Sequence, residues 1–249
     1  MKTAYAAPDV MALFPQSADA AFWLDGEIGT LLSIGPGGRE LRRVEAGGRV
    51  FFLKRSGRES LLKHWFSILH GGRPLSGALR EKRMLEQLRA RGFAAMEPAA
   101  WGQERLPGFR ARGFLLVRKV NGEELAELFD KSPGLRKREL MTAAGHLVGR
   151  LHARGFLQPV RLKDLILSGG ELVLIDRETS KPWPGLFSRR RAAKALARSL
   201  RRMHRDGHRP GAGSLYAFLQ GYRQGVSEKC IINPLKLAAQ VCAELRKTN

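Results

Sequence analysis

A lysine, a glutamate and an aspartate follow one another along this chain in an order that suits phosphate chemistry. Lys54 ends the apolar run 50–53, Glu81 lies in a segment with helical spacing that starts near Ser76, and Asp176 follows the apolar run 172–175. A triphosphate needs a fixed cation, that cation needs a carboxylate to hold it, and Mg²⁺ prefers hard oxygen ligands. The three residues therefore indicate a site for ATP and Mg²⁺.

Each of these residues also has a plainer interpretation when it is taken alone. Lys54 is then an ordinary lysine at a strand end, Glu81 is a solvated helix residue, and Gly35 to Gly38 is a simple hairpin turn. Together they follow the order found in phosphotransferases, namely a glycine turn, a strand lysine, a helix glutamate and an aspartate after a strand. The order and spacing favour the joint interpretation.

The elements that must position these residues change in character near Asn121. Before it, short extended runs at 31–34, 40–44, 50–54 and 114–117 are joined by glycine-rich turns, and one helix runs from about Ser76 to a stop at Gly92. After it, a helix is predicted over 135–152, a short strand over 172–175, and mainly basic helix beyond. We expect an α+β protein with a β-rich part over residues 1–120 and a helical part over residues 121–249.

The stretch from about Leu31 to Thr179 resembles the lipopolysaccharide kinases, which phosphorylate Kdo or heptose in the bacterial inner core and are relatives of eukaryotic-type protein kinases. The resemblance is carried by four stretches: 42–54, which ends in VFFLK; 80–93; 113–117, which reads GFLLV; and 151–156, which reads LHARGF and leads on to Asp176.

The resemblance implies a bilobal protein-kinase-like fold, with a small antiparallel sheet in the N-lobe and a helical C-lobe. It also implies roles for individual residues. Lys54 would bind the α and β phosphates of ATP, Glu81 would pair with Lys54, and Asp176 would hold Mg²⁺. The remaining implied contacts are the glycine turn over the phosphates (Gly35, Gly37), the backbone beside the adenine (Val117, Lys119) and the ribose (Glu123).

The catalytic loop departs from the family pattern, which reads His-x-Asp followed by a metal ligand five residues later. Counting forward from Gly155 places Val160 at the catalytic aspartate, whereas counting back from the strand 165–167 places Pro159 there and Asp164 at the metal ligand. We prefer the second register, with Asp164 and Asp176 on one Mg²⁺ and as the catalytic pair. In both registers the general base is missing, and His152 is better explained as a packed core residue than as its substitute.

Three functions follow from these motifs. The first is a kinase for an inner-core lipopolysaccharide sugar, with the general base lost. The second is a pseudokinase-type module that binds nucleotide or a partner in envelope assembly. The third is a nucleic-acid-binding protein, which the ordered Lys54, Glu81 and Asp176 argue against.

Charge and composition indicate the partners and the compartment. The 44 Lys and Arg residues against 23 Asp and Glu give a net charge of +21, and many of the cations lie in residues 188–205. This surplus predicts an anionic glycolipid or lipopolysaccharide core precursor as the partner, with peripheral contact at the inner membrane. Nucleic acid fits the charge, but no basic strand interleaved with aromatic residues accompanies it. Cys230 and Cys242 form neither a disulfide framework nor a zinc motif, which favours a cytoplasmic protein.

Overall fold

The computed structural model describes residues 2–57, 75–107, 110–177, 185–226 and 239–243. These residues fall into two compact units. The first contains residues 1–120 and a segment that begins at Asp176, and the second contains residues 121–175 and those from 184 onward. Cys230 lies outside the described residues, and Cys242 is exposed and forms no disulfide.

The first unit is built on a six-stranded antiparallel sheet. Its order is β1-β5-β6-β4-β3-β2. The strands are β1 (Lys2–Ala6), β2 (Thr30–Gly35), β3 (Arg39–Ala46), β4 (Arg49–Ser56), β5 (Pro98–Leu106) and β6 (Arg110–Arg118). The predicted meander corresponds to β2, β3 and β4, which pair in sequence order because short glycine turns join them.

The described residues of this unit form three helices, namely α1 (Pro8–Leu13), α2 (Ala20–Asp25) and α3 (Gly77–Arg89). The α3 helix begins after Ser76, whose hydroxyl accepts a hydrogen bond from the Leu79 N–H at 3.3 Å. That bond satisfies one of the donors left open at a helix start, so the predicted helix begins where its capping residue lies.

An aromatic core holds the N-terminal helices against the sheet. Trp23 of α2 is fully buried and stacks on Phe114 with ring centroids 5.6 Å apart. Its indole N–H donates to the Ser17 carbonyl at 2.9 Å. Arg55 of β4 donates to the Trp23 carbonyl at 2.7 Å, which ties α2 to the strand that carries Lys54.

The second unit is mainly helical. Its described helices include α4 (Leu125–Lys131), α5 (Gly134–Ala153), α6 (Arg189–Arg205) and α7 (Ala212–Gly225), and a 3₁₀ turn spans Leu162–Asp164. A small antiparallel sheet joins β7 (Glu123–Glu124), β8 (Leu165–Ser168) and β9 (Glu171–Leu174). No helix among the described ranges is both long and apolar enough to cross a bilayer.

Glycines let α5 and α7 pack with their backbones in close approach. A Cβ placed on Gly145 would lie 2.0 Å from the Phe218 carbonyl oxygen, and one on Gly221 would lie 2.0 Å from that of Thr142. Gly149 and Gly225 meet the facing helix in the same way, at 2.4 and 2.1 Å. Both helices thus present a pair of glycines four residues apart, and we call these four residues the glycine seam.

Candidate active site

Lys54 lies on β4, on the face of the sheet opposite the buried Phe51 and Leu53. Strand side chains alternate between faces, so the pattern that buries Phe51 and Leu53 turns Lys54 the other way. The Lys54 amine reaches Glu81 of α3, with Nζ 2.6 Å from Oε1. The ion pair that the sequence predicts is therefore present.

A second carboxylate completes the charge set around the lysine. Asp176 Oδ1 lies 3.2 Å from Lys54 Nζ. Burial lowers the pKa of Lys54, but attraction to Glu81 and Asp176 outweighs that effect and raises the pKa above its ordinary value. Lys54 therefore stays cationic throughout the physiological range.

Asp176 differs from Glu81 in exposure and in backbone conformation. The Glu81 side chain is 5% exposed and that of Asp176 is 57% exposed. Asp176 also has φ of 50°, and it is the only non-glycine residue of the described chain with positive φ. Such a conformation costs free energy and is concentrated at functional sites. The exposed carboxylate of Asp176 has room for a further ligand, whereas the carboxylate of Glu81 is largely enclosed.

The predicted glycine turn links β2 to β3. Gly37 and Gly38 have φ of 76° and 70°, a conformation that side chains disfavour. A Cβ on Gly35 would meet only ordinary contacts, so that position does not require glycine. Sequence reasoning missed Gly57, just beyond β4, where a Cβ would lie 2.9 Å from the Gly37 carbonyl oxygen and 2.8 Å from that of Gly38. Gly57 thus lets the turn lie against the end of the lysine strand.

The residues predicted to lie beside the adenine are at the end of β6. Val117 is fully buried, so its side chain belongs to the core. The Lys119 N–H donates to the Val50 carbonyl at 3.0 Å, and the Arg118 N–H donates to that of Glu97 at 3.1 Å. These two donors are engaged by neighbouring backbone. The ribose candidate Glu123 lies in the second unit, where it pairs with Leu167.

Asp164 is buried in the second unit and is held by Arg161. Its Oδ1 accepts from the Arg161 guanidinium at 2.7 and 3.0 Å, and its Oδ2 accepts from the Arg161 backbone N–H at 3.0 Å. Both oxygens are thus engaged within the chain, and a metal would have to share or displace Arg161. Sequence reasoning missed this pairing, although residues three apart in a helical turn are neighbours.

Asp206 extends this cluster after the end of α6. It lies 3.1 Å from Lys163 Nζ and 3.5 Å from Arg161 Nη1. Burial raises the pKa of Asp206, but the hydrogen bond and attraction from Lys163, with Arg161 and Arg205, lower it below its ordinary value overall. The cluster therefore holds the catalytic-loop segment to the end of α6 through charged contacts.

The loop between α5 and β8 carries no carboxylate at the expected base positions. Val160 is buried, and its N–H donates to the Ser199 hydroxyl at 3.0 Å. Gln158 and Pro159 complete the segment. Gly155 starts the loop with φ of 84°, and a Cβ there would lie 1.9 Å from the Gly185 carbonyl oxygen. Glycine is therefore needed at the end of the LHARG stretch.

His152 is fully buried, and its Nδ1 lies 2.9 Å from the Tyr222 hydroxyl. This environment agrees with the interpretation of His152 as a core residue. The second unit also contains a partly open cavity of about 230 Å³ that is lined almost wholly by apolar side chains. The lining comes from α5, α6, α7, the loop, the start of β8 and residues 241–242, with Met141, Val160, Leu196 and Phe218 among the contributors.

The described acidic residues support Mg²⁺ only together with a ligand's own oxygens. Within the part of the chain that the structure describes, no group of three or more His, Cys, Asp or Glu side chains could hold a metal. Mg²⁺ in nucleotide enzymes commonly uses one or two carboxylates and completes its coordination with phosphates and water. The exposed Asp176 beside Lys54 fits that pattern, whereas Asp164 fits it only once Arg161 moves.

Comparison with known proteins gives a partial match to one family and a likeness in fold. The family model described as "Lipopolysaccharide kinase (Kdo/WaaP) family" matches residues 42–158, a little under half of the chain. This match confirms the resemblance that the sequence motifs indicate. It includes Lys54 and Glu81 and ends before Asp164 and Asp176. No curated protein sequence matches the chain.

Among solved structures, "WaaP in complex with acyl carrier protein" aligns with a TM-score of 0.67 at 18% identity, covering 98% of this chain and 97% of that one. A MAP kinase from Leishmania major aligns with a TM-score of 0.41 at 10% identity, covering 89% and 94%, and this weaker likeness supports no conclusion. With the antiparallel sheet and the helical unit, the likeness to WaaP confirms the predicted α+β, protein-kinase-like fold.

Proposed function

We propose, from the match to the lipopolysaccharide kinase (Kdo/WaaP) family, that this chain transfers the γ-phosphoryl group of ATP to a Kdo or heptose hydroxyl of an inner-core lipopolysaccharide precursor. The observation that carries the proposal is the Lys54 amine, 2.6 Å from Glu81 and 3.2 Å from Asp176. A lysine fixed between two carboxylates, one of them exposed, suits the binding of a nucleoside triphosphate and its metal ion.

Each residue then has a chemical role. Lys54 binds the α and β phosphates, and Glu81 keeps the amine in place and charged. Asp176 would hold Mg²⁺, with Asp164 as a second ligand once it is released from Arg161. When bound, Mg²⁺ supplies positive charge that offsets the charge on the phosphates. The Gly35 to Gly38 turn covers the phosphates, and the backbone near Val117 and Lys119 faces the adenine.

The missing general base limits the expected rate without excluding transfer. General-base catalysis contributes about 10² to 10⁴ in rate. Phosphoryl transfer depends mainly on positioning and charge stabilisation, which Lys54 and Asp176 supply. The acceptor proton would then pass to Asp164 or to a phosphate oxygen of the substrate. We therefore expect slow transfer at the cytoplasmic face of the inner membrane, where a glycolipid precursor is accessible.

The test is a transfer assay with ATP, Mg²⁺ and a lipid acceptor that carries Kdo or heptose. Mass spectrometry should show the acceptor heavier by one phosphate, and Lys54→Ala and Asp176→Ala should abolish that product. Arg83→Gln, which alters an exposed cation on α3, is the matched control and should retain it. Phosphorylation at the wild-type rate by both site variants would contradict the proposal.

The second candidate is a pseudokinase-type module. It is favoured by the loop between α5 and β8. There the buried Val160 donates its N–H to the Ser199 hydroxyl, and Arg161 donates hydrogen bonds to both carboxylate oxygens of Asp164. In the same assay this module would bind ATP and yield no phosphorylated acceptor.

The solved WaaP complex with an acyl carrier protein suggests a partner as well. We propose that the apolar cavity of the second unit accepts an aliphatic chain, because its volume and lining suit acyl carbons rather than a sugar or a phosphate. A spin-labelled or fluorescent fatty acyl chain should bind the wild-type protein, and Ala144→Phe, which fills the cavity, should prevent binding.

A further inference from the structure

One face of α6 carries a continuous band of cations. The band consists of six exposed residues, Arg190, Arg191, Lys194, Arg198, Arg202 and Arg205, and we call it the α6 basic face. At 3.6 residues per turn these side chains fall within an arc of about 120° and extend over about 22 Å of helix. The band therefore lies along one side of the helix.

The rest of α6 explains why this face is turned to solvent. Ala192, Ala195, Leu196, Ser199 and Met203 lie on the opposite side and are buried in the second unit. The packing of that side fixes the rotation of the helix, so the cations cannot turn inward. The α6 basic face is therefore a permanent feature of the surface.

Among the described residues, acids offset little of the charge of this face, and the one near its C-terminal end is Asp206, whose pKa Arg205 helps to lower. The helix α6 contains no Asp or Glu. None of the six side chains forms an ion pair with another residue that the structure describes. Elsewhere in the chain exposed arginines do have partners, such as Arg136 with Glu139 and Arg49 with Asp9. Six cations on one face of a helix are expected to repel each other, and an anionic partner would relieve that repulsion.

An apolar side chain lies just before the helix. Leu186 is 89% exposed and precedes the N-cap residue Ser188 by two positions. A cationic band with an exposed apolar side chain beside it is typical of surfaces that lie on anionic bilayers, where the cations meet headgroups and the apolar group enters the acyl boundary. A nucleic-acid backbone offers charge for the cations and nothing for Leu186.

We propose that the α6 basic face docks the protein on an anionic lipid bilayer, with Leu186 inserted at the headgroup boundary. This inference deepens the proposed function and rests on it in one respect, since a glycolipid acceptor lies in a membrane. The charge pattern and Leu186 support the surface independently of nucleotide binding.

Vesicle sedimentation tests the proposal. The wild-type chain should bind vesicles of phosphatidylcholine and phosphatidylglycerol and not vesicles of phosphatidylcholine alone, and added salt should weaken binding. Arg190→Gln/Lys194→Gln/Arg198→Gln should lower the partition coefficient on the order of a hundredfold, from about 1 kcal/mol for each surface cation. Leu186→Ser should lower it about tenfold, from the apolar surface that is no longer buried.

A matched triple variant separates this face from net charge. Arg83→Gln/Arg105→Gln/Arg138→Gln removes three exposed cations that lie outside α6 and should stay within about threefold of wild type, because the proposal assigns binding to the α6 basic face and not to net charge. All substituted positions on helices accept glutamine, a good helix former, and Arg105 is an exposed strand residue, so both triples should keep the wild-type melting temperature. Equal losses in the two triples, or tighter binding to an oligonucleotide duplex than to anionic vesicles, would overturn the proposal.

The same variants test the membrane-docking surface and the proposed function separately. Vesicle binding is measured without nucleotide, and Lys54→Ala should bind vesicles as the wild type does. Nucleotide binding is measured without vesicles, and the α6 triple should retain it. If the wild-type chain does not bind anionic vesicles but transfers phosphate in detergent, the membrane-docking proposal is contradicted and the proposed function is not.

Discussion

At the scale of single residues, the central feature is one half-buried cation shared by two carboxylates. Lys54 lies 2.6 Å from the enclosed Glu81 and 3.2 Å from the exposed Asp176. A lysine of this kind cannot be removed without leaving negative charge in a largely desolvated place. The set therefore contributes to stability as well as to the proposed chemistry.

Replacing Lys54 by Met should destabilise the fold. We expect the free energy of unfolding to fall by about 3 kcal/mol, as for other buried pairs that lose one partner, and the loss to be smaller in Lys54→Met/Glu81→Leu. Urea unfolding of the three proteins measures both effects. A Lys54→Met variant as stable as the wild type would contradict the burial of this pair.

The difference in the free energy of unfolding between wild type and Lys54→Met depends on pH through the pKa of Lys54. Because the folded-state pKa is raised, the stabilisation is fully present below the ordinary lysine pKa and is lost as the pH rises through the folded value. The gap between wild type and Lys54→Met should thus be constant from about pH 6 to pH 9 and shrink only under stronger alkali.

The stabilisation by Asp206 depends on pH in the opposite direction. Its pKa is lowered in the folded chain, so its contribution is present above the ordinary aspartate pKa and is lost as the pH falls through the folded value. Asp206→Asn should lower the free energy of unfolding at pH 7 by about 1 kcal/mol and by less in acid. Denaturant titrations at both pH values check this, and an equal loss at each would show that the charge is unimportant.

Residue types in order along the chain were enough to predict Lys54 with Glu81, and they also singled out Asp176. The same reasoning could not predict that Arg161 engages Asp164, because a chain with 44 basic residues has many arginines near aspartates. Nor could it identify Gly57, since the close approach of the Gly37 and Gly38 carbonyls depends on how the turn folds back.

At the scale of elements, local pattern predicted the parts whose signals are strong. The meander β2 to β4, the helix α3 and the helix α5 lie within a few residues of their predicted bounds. The strands β1 and β5 were not predicted, because β1 is alanine-rich and β5 mixes apolar and charged residues. Their strand conformation comes from pairing, β1 on β5 and β5 on the central β6, which is a tertiary effect.

The glycine seam predicts a specific stability effect in the second unit. Gly221→Ala should lower the free energy of unfolding by about 2 to 3 kcal/mol, because the new Cβ would meet the Thr142 carbonyl oxygen at 2.0 Å. The matched control is Gly134→Ala in the first turn of α5, where a Cβ meets nothing within 4 Å and alanine is the better helix former.

Thermal unfolding of the two glycine variants measures this difference. The Gly134→Ala variant should melt at or above the wild-type temperature, and Gly221→Ala should melt several degrees below it. Equal melting temperatures would contradict the close approach of α5 and α7.

At the scale of the whole molecule, the chain combines a kinase-like fold with a strong positive charge and an altered catalytic loop. The net charge of +21 suits the anionic acceptor of the proposed function. The loop has Gly155 and Asp164 but lacks an acidic residue at position 159 or 160. If the chain transfers phosphate as proposed, positioning and charge around Lys54 and Asp176 provide most of the rate enhancement.

Calorimetric titration of the full chain with ATP, with and without Mg²⁺, tests whether Lys54 and Asp176 form the nucleotide site. The wild type should bind ATP more tightly with Mg²⁺, and Asp176→Ala should lose this dependence. Lys54→Ala should bind ATP about 10 to 100-fold more weakly, the loss expected for a hydrogen bond to a charged group. Wild-type affinity for Mg-ATP in both variants would show that the nucleotide site lies elsewhere.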